Sequence, residues 1–184
     1  MPAHWRKHAT ARLGDFHIFE LLRETVESPR TGRTLDAVVL DSADWVNVLA
    51  FTGTGQCVLI RQYRFGNERV TLEIPGGIID PGESPLAAAA RELREETGYG
   101  AARWTALGAC APNPAFQRNR LHTFLAEGCE LVGAQEQDPG EDIEVLLAEE
   151  TVLDAWVRSG EIDHALVLVA FHKLALHRAG QVHT

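Results

Sequence analysis

The sequence predicts an α/β sandwich built on a mixed sheet. Three observations predict it: a strand-rich first half, one strongly helical stretch over residues 83–98, and a return to strand and then helical patterning towards the C-terminus. With 184 residues, 45% hydrophobic and 23% charged, the chain suits a single globular domain with a small appended region. Its formal charge of -9 argues against a nucleic-acid polymer as partner, because phosphate backbones attract basic surfaces. An anionic substrate therefore has to be met by metal ions or by a local cluster of arginines.

Met1 to Thr10 carries charge with no apolar run behind it, so no signal peptide is expected, and the longest apolar run, Ala165 to Phe171, is too short to span a bilayer. The three cysteines, Cys57, Cys110 and Cys129, form no CxxC pair, which points to a reducing cytoplasm and to small core residues. Residues 14–27 read as a strand, Ser28-Pro29-Arg30-Thr31-Gly32 as a turn, and Leu35 to Leu40 as a second strand. Trp45 to Phe51 is the next strand, and Gln56 to Tyr63 pairs back across Thr52-Gly53-Thr54-Gly55. A flap of two or three strands is marginal alone, so residues 1–44 must pack on the body or on another subunit.

Arg61, Arg64 and Arg69 fall together just before the helical stretch. They are either a solvated strand end or a clamp for a diphosphate. Leu72 to Gly77 is a strand running into a glycine loop. The helix follows from its ends: Glu83 and Ser84 suit the cap or first turn, Pro85 an early position, Leu86 to Ala90 the interior, and Gly98 the stop. Glu92, Glu95 and Glu96 stand at i, i+3 and i+4, so their carboxylates share one face. Two readings compete: an acidic solvated face neutralised by Arg91 and Arg94, or a site for a hard cation such as Mg2+ or Mn2+.

Trp104 to Pro112 contains a short strand, Pro112 to Arg120 is a loop by its Pro and Asn content, and His122 to Ala126 is a core strand with His122 a strand histidine. Gly133 to Gly140 reads as a mobile loop, and Glu141 to Leu146 opens another strand. Thr151 to Ser159 and Asp163 to Arg178 are helices, with Gly160 and Gly180 as stops. No repeat, low-complexity tract or interdomain linker interrupts the chain.

Gly77, five residues, Glu83, seven residues, then Arg91-Glu92-Leu93-x-Glu95-Glu96-x-Gly98-Tyr99 resembles the Nudix box of the Nudix hydrolase family. The closing position, often aliphatic there, is Tyr99 here. The resemblance, covering about residues 45 to 180, implies a Nudix-type α/β/α sandwich with a mixed sheet over residues 45–184. The N-terminal antiparallel strands of residues 1–44 are then a dimerisation region by analogy. It also implies that Glu92, Glu95, Glu96 and the Gly76 carbonyl hold Mg2+, with Mn2+ as the alternative, while Gly77, Glu83 and Arg91 support the box. An extra glutamate in the family acts as metal bridge or general base; Glu141 stands in that setting, with Glu144 as its rival.

The Gln62-Tyr63-Arg64 run resembles the ADP-ribose pyrophosphatase branch, where the arginine matching Arg64 contacts substrate phosphate. Pro114, at 114 − 99 = 15 residues beyond Tyr99, resembles that branch's specificity mark, although Ala115 stands where glycine is more frequent. Glu73 binds substrate or supports the loop, Arg118 and Arg120 are a second clamp or plain surface, and Trp45 is a candidate for stacking the base. The implied activity is Mg2+-dependent hydrolysis of a nucleoside diphosphate sugar, ADP-ribose to AMP and ribose 5-phosphate, by a cytoplasmic homodimer. The alternatives are GDP-mannose or another nucleotide sugar, and a non-catalytic nucleotide-sensing module.

Overall fold

The computed structural model describes residues 3–137 and 139–180 of the chain. Among these residues the elements run β1 (Arg6–Asp15), β2 (Glu20–Glu27), β3 (Thr34–Asp41), β4 (Trp45–Thr52), β5 (Gln56–Arg64), β6 (Arg69–Glu73), α1 (Pro85–Thr97), β7 (Tyr99–Gly100), β8 (Arg103–Cys110), β9 (Leu121–Leu131), β10 (Ile143–Glu149), α2 (Glu150–Ser159) and α3 (Ala165–Arg178). They group into two compact units, Met1–Asp44 with Cys110–Arg120, and Trp45–Ala109 with Leu121–Thr184.

The first unit is a three-stranded antiparallel sheet in the order β1-β2-β3. Residues 14–27 do not form the single strand their apolar content suggests. The chain turns between Asp15 and Glu20, where His17 takes a left-handed φ of 67° and donates its N–H to Asp15 Oδ1 at 3.0 Å. Aspartate accepts in this way from the backbone two residues on, which makes it a turn former. β1 was illegible because Arg6–Asp15 is polar and exposed almost throughout, with no apolar alternation to read. The 110–120 segment is tied to β3 by Leu40 N–H to Phe116 O at 2.8 Å and Arg118 N–H to Leu40 O at 3.1 Å.

The second unit holds a seven-stranded mixed sheet with the path β10-β5-β4-β9-β7, β6 pairing with β5 and β8 with β9. β4 and β9 are parallel, whereas β4–β5, β5–β10 and β5–β6 are antiparallel. Successive strand residues point to opposite faces, so β4 serves two cores. Val46, Val48 and Ala50 pack with Ala88, Ala89 and Leu93 of α1; Leu49 and Phe51 pack with Leu153 of α2 and with Val167, Ala170 and Leu174 of α3. Residues 46–51 are consequently buried on both sides and read as an apolar run interrupted by Asn47. This is the α/β/α layering, with α1 alone on one face.

Local chemistry fixes α1 at both ends. Ser84 Oγ accepts the Ala87 N–H at 3.2 Å, and Gly98, at φ 76°, donates its N–H to Arg94 O at 2.7 Å. Gly160 ends α2 at φ 80°. α3 closes at Ala179, one residue short of the predicted Gly180 stop.

Candidate active site

The glycine loop is docked on the start of β4. Gly77 N–H donates to Val46 O at 3.1 Å, Val46 N–H returns to Gly77 O at 2.9 Å, and Val48 N–H donates to Pro75 O at 2.8 Å. Extended backbone alternates, so Gly76 turns the other way and donates its N–H to Glu96 Oε2 at 2.8 Å. Gly76 is required by space against backbone, whereas a side chain at Gly77 would push aside the end of Glu92. A Cβ on Gly76 would lie 2.3 Å from Val46 O, and one on Gly77 would lie 2.3 Å from Glu92 Oε1.

The three box carboxylates differ in surroundings. Glu92 and Glu96 are buried, at 9% and 3% exposure, and Glu95 is half-buried. Burial pushes the Glu92 carboxyl up to about 7 against the pull of Arg91, with the charges of Glu95 and Glu141 adding to the rise. Burial likewise lifts Glu96 well above the usual carboxylate range, opposed by the Gly76 N–H and reinforced by Glu92 and Glu141. Such a group of acids takes a proton or recruits a cation.

Arg91 is the cation already present. Its guanidinium donates to Glu83 at 3.1 and 3.0 Å, to Glu92 Oε1 at 2.9 Å, to Glu95 Oε2 at 3.1 Å and to Ile78 O at 2.9 Å. Glu83 holds it most strongly and has its own pKa lowered in return, so the Glu83–Arg91 pair ties the loop to the helix. Because Arg91 engages Glu92 and Glu95 while Glu96 faces Gly76, the carboxylates do not meet at one point; among the described residues no three acids, histidines or cysteines are grouped to hold a metal ion. The chemistry of the donors nonetheless fits a hard divalent cation: carboxylate oxygens, two of them on buried acids whose charge is only partly balanced.

Arg64, at the end of β5, donates Nε to Glu73 Oε1 and Nη2 to Glu73 Oε2, both at 2.7 Å, in the bidentate geometry that arginine makes with carboxylate. Glu73 is 3% exposed and also accepts the Thr71 hydroxyl at 2.6 Å. Burial alone would raise its pKa, but Arg64, Thr71 and His164 together bring it below the usual value. The acids Glu96 and Glu141 act on Arg64 as well, after Glu73. Arg64, Glu73, Glu96 and Glu141 thus share one electrostatic neighbourhood.

Glu141 lies just before β10, and its charge acts on Glu92, Glu96 and Arg64. Glu144 stands opposite Arg61 in the β5–β10 ladder, their side chains 3.5 Å apart at the surface. Trp45 opens β4 and its backbone bridges Ile78, next to Gly77. Arg118 belongs to the other unit, where it bonds Asp41 and, at 2.6 Å, Glu24. Arg120 donates its N–H to Asp44 Oδ1 at 2.8 Å.

Sequence reasoning passed over Thr71 and the glutamines 135 and 137, and it took His164 for a solvated histidine, whereas that side chain is half-buried, 3.9 Å from Glu73. The segment 133–137, expected to be mobile, is bonded along its length: Glu136 N–H donates to Glu95 O at 2.8 Å, and the Gln135 side chain to Glu96 O at 2.6 Å. The two glutamines work through backbone carbonyls, which leaves no motif, so no sequence signal marked them.

A model of the NUDIX domain matches residues 42–176. The chain is 36% identical over 167 residues to the ADP-ribose pyrophosphatase of Bacillus subtilis (strain 168), covering 89% of each. It is 30% identical over 174 residues to the methanol dehydrogenase activator of Bacillus methanolicus, covering 92% of each. Among solved structures, the crystal structure of an ADP compounds hydrolase superposes with a TM-score of 0.84 over 99% of both chains at 21% identity, a likeness of fold.

Proposed function

The chain belongs to the NUDIX domain family of hydrolases, and from that premise we propose that it hydrolyses the diphosphate of a nucleoside diphosphate sugar, ADP-ribose first, to AMP and ribose 5-phosphate. The observation that carries this reading is the set of partly balanced acids on α1, two of them buried, in the same electrostatic neighbourhood as an arginine, Arg64. A diphosphate ester supplies the complementary partner: an anion for Arg64 and oxygens to share a cation with carboxylates. The name of the Bacillus subtilis relative directs the choice to ADP-ribose.

Nudix hydrolases require a divalent metal, and Mg2+, with Mn2+ as alternative, is the ion proposed here for Glu92, Glu95, Glu96 and the Gly76 carbonyl. When bound it supplies charge neutralisation on the diphosphate and acidifies a water nucleophile. The residues do the rest. Arg64 holds a phosphate oxygen, Glu141 accepts the proton from the attacking water or joins the metal ligands, and Glu83 and Arg91 keep the loop against α1. One water adds across the P–O–P bridge, giving two phosphomonoesters; with both products as dianions, two protons are released.

The N-terminal sheet supports a homodimer: Trp5, Leu13, Phe16, Ile18, Leu35 and Val38 of that unit are all exposed. The cytoplasm is proposed from three cysteines that are all free. Burial lifts the thiols of Cys57 and Cys129 to about 12 and about 11, so both are inert core residues. No helix among the described residues is long and apolar enough to cross a membrane.

A panel of ADP-ribose, GDP-mannose, NADH, diadenosine polyphosphates, coenzyme A and oxidised dNTPs, run with Mg2+ or Mn2+ and resolved by chromatography, tests the substrate. ADP-ribose is expected to give AMP and ribose 5-phosphate, and a preference for dNTPs overturns the assignment. The E95Q/E96Q double variant should lose turnover while keeping its circular dichroism spectrum; retained activity would sink the metal assignment.

A further inference from the structure

The last carbonyls of α1 lack partners within the helix, as those of every α-helix do. Gly98 N–H takes Arg94 O, and the Thr97 hydroxyl takes Leu93 O. Two more, and the carbonyl of the capping Gly98, are taken by the strap that follows β9. Glu136 N–H bonds Glu95 O at 2.8 Å, the Gln135 amide bonds Glu96 O at 2.6 Å, and the N–H groups of Val132 and Gly133 bond Gly98 O at 2.8 and 3.2 Å.

Gln135 does more than cap. Its Nε2 carries two hydrogens, and the second partner is Ile143 O at 3.2 Å. One amide therefore spans from the carbonyl of Glu96, on the box helix, to the carbonyl of Ile143, two residues beyond Glu141. Gln137 secures the same point with a two-way bond, its Nε2 to Ile143 O at 2.8 Å and the Ile143 N–H to its Oε1 at 3.1 Å. That pairing admits only one orientation of the amide.

The geometry points to Gln135, supported by Gln137, as the positioning residue that sets Glu141 against the α1 carboxylates. This rests on the role given to Glu141 above. The electrostatic influence of Glu141 on Glu92 and Glu96 agrees with such placement. A side chain that must meet a water within hydrogen-bond reach loses rate when its backbone drifts.

The test is a double-mutant cycle with ADP-ribose and Mg2+, measuring kcat, KM and Tm for the parent, Q135A, E141Q and Q135A/E141Q. Q135A should lower kcat about 10- to 100-fold, the scale for supporting residues of a metal site, with KM and Tm nearly unchanged. E141Q should lower it at least as far, and the double variant should be no slower than E141Q. E136A, which keeps its backbone N–H and loses only a surface pair with Arg94, should match the parent. If Q135A unfolds, Q135M retains the length without the donors and carries the same expectation. Parental kcat in Q135A beside a slow E141Q, or losses that multiply in the double variant, overturns the positioning role alone. Full turnover in E141Q overturns it together with the role of Glu141.

Discussion

At the scale of single residues, the site is governed by how closely backbone approaches carboxylate. A methyl group on Gly77 would meet the carboxylate end of the Glu92 side chain, whose Oε1 lies 2.3 Å from where the Cβ would be. Gly77→Ala should therefore displace the Glu92 carboxylate, destabilising the fold by about 1–3 kcal/mol and lowering turnover, which denaturant unfolding and steady-state rates would report together. Glu73 presents the opposite case, a buried acid already satisfied. Its folded pKa lies below the ordinary value of 4.5, so the stability it contributes is present above that pH and is lost as pH falls through the folded value. Glu73→Gln should flatten the acid limb of the Tm–pH profile below about pH 4.5; an unchanged limb would mean that Arg64 contributes nothing to holding it ionised.

At the scale of elements, α1 is a short helix whose position depends on its caps and its alanines. Ala88 and Ala89 are fully buried, and small side chains there bring the helix close to β4. The Ser84 hydroxyl satisfies one first-turn N–H, and Ser84→Ala should cost about 1 kcal/mol, readable as a lowered denaturation midpoint at unchanged m-value. This helix was legible in the sequence because cap, proline, periodicity and stop are all local. β1 and the 132–137 strap were not. The first has no apolar alternation, and the second takes its order from carbonyls of a helix that precedes it by about forty residues, a relation no window of sequence contains.

At the scale of the whole molecule, charge is the organising quantity. The chain carries a formal charge of -9 and places several of its acids around one buried cluster, balanced within the fold by Arg91 and Arg64. A divalent cation bound there should stabilise the native state by mass action, about 2.7 kcal/mol at a hundred times its Kd. Mg2+ titration followed by thermal unfolding should raise Tm for the parent chain and leave that of E95Q/E96Q unmoved.

The box glycines, the carboxylate face of α1, the mixed sheet and the family were all determined by the sequence alone, since each rests on spacing or periodicity over a few turns or strands. The pairing of Arg64 with Glu73, the central place of Arg91, the burial that separates Glu92 and Glu96 from Glu95, and the amide span from Glu96 to Ile143 were decided only by the tertiary structure. These depend on distance and on exclusion of water, and neither quantity exists until the strands and helices have packed.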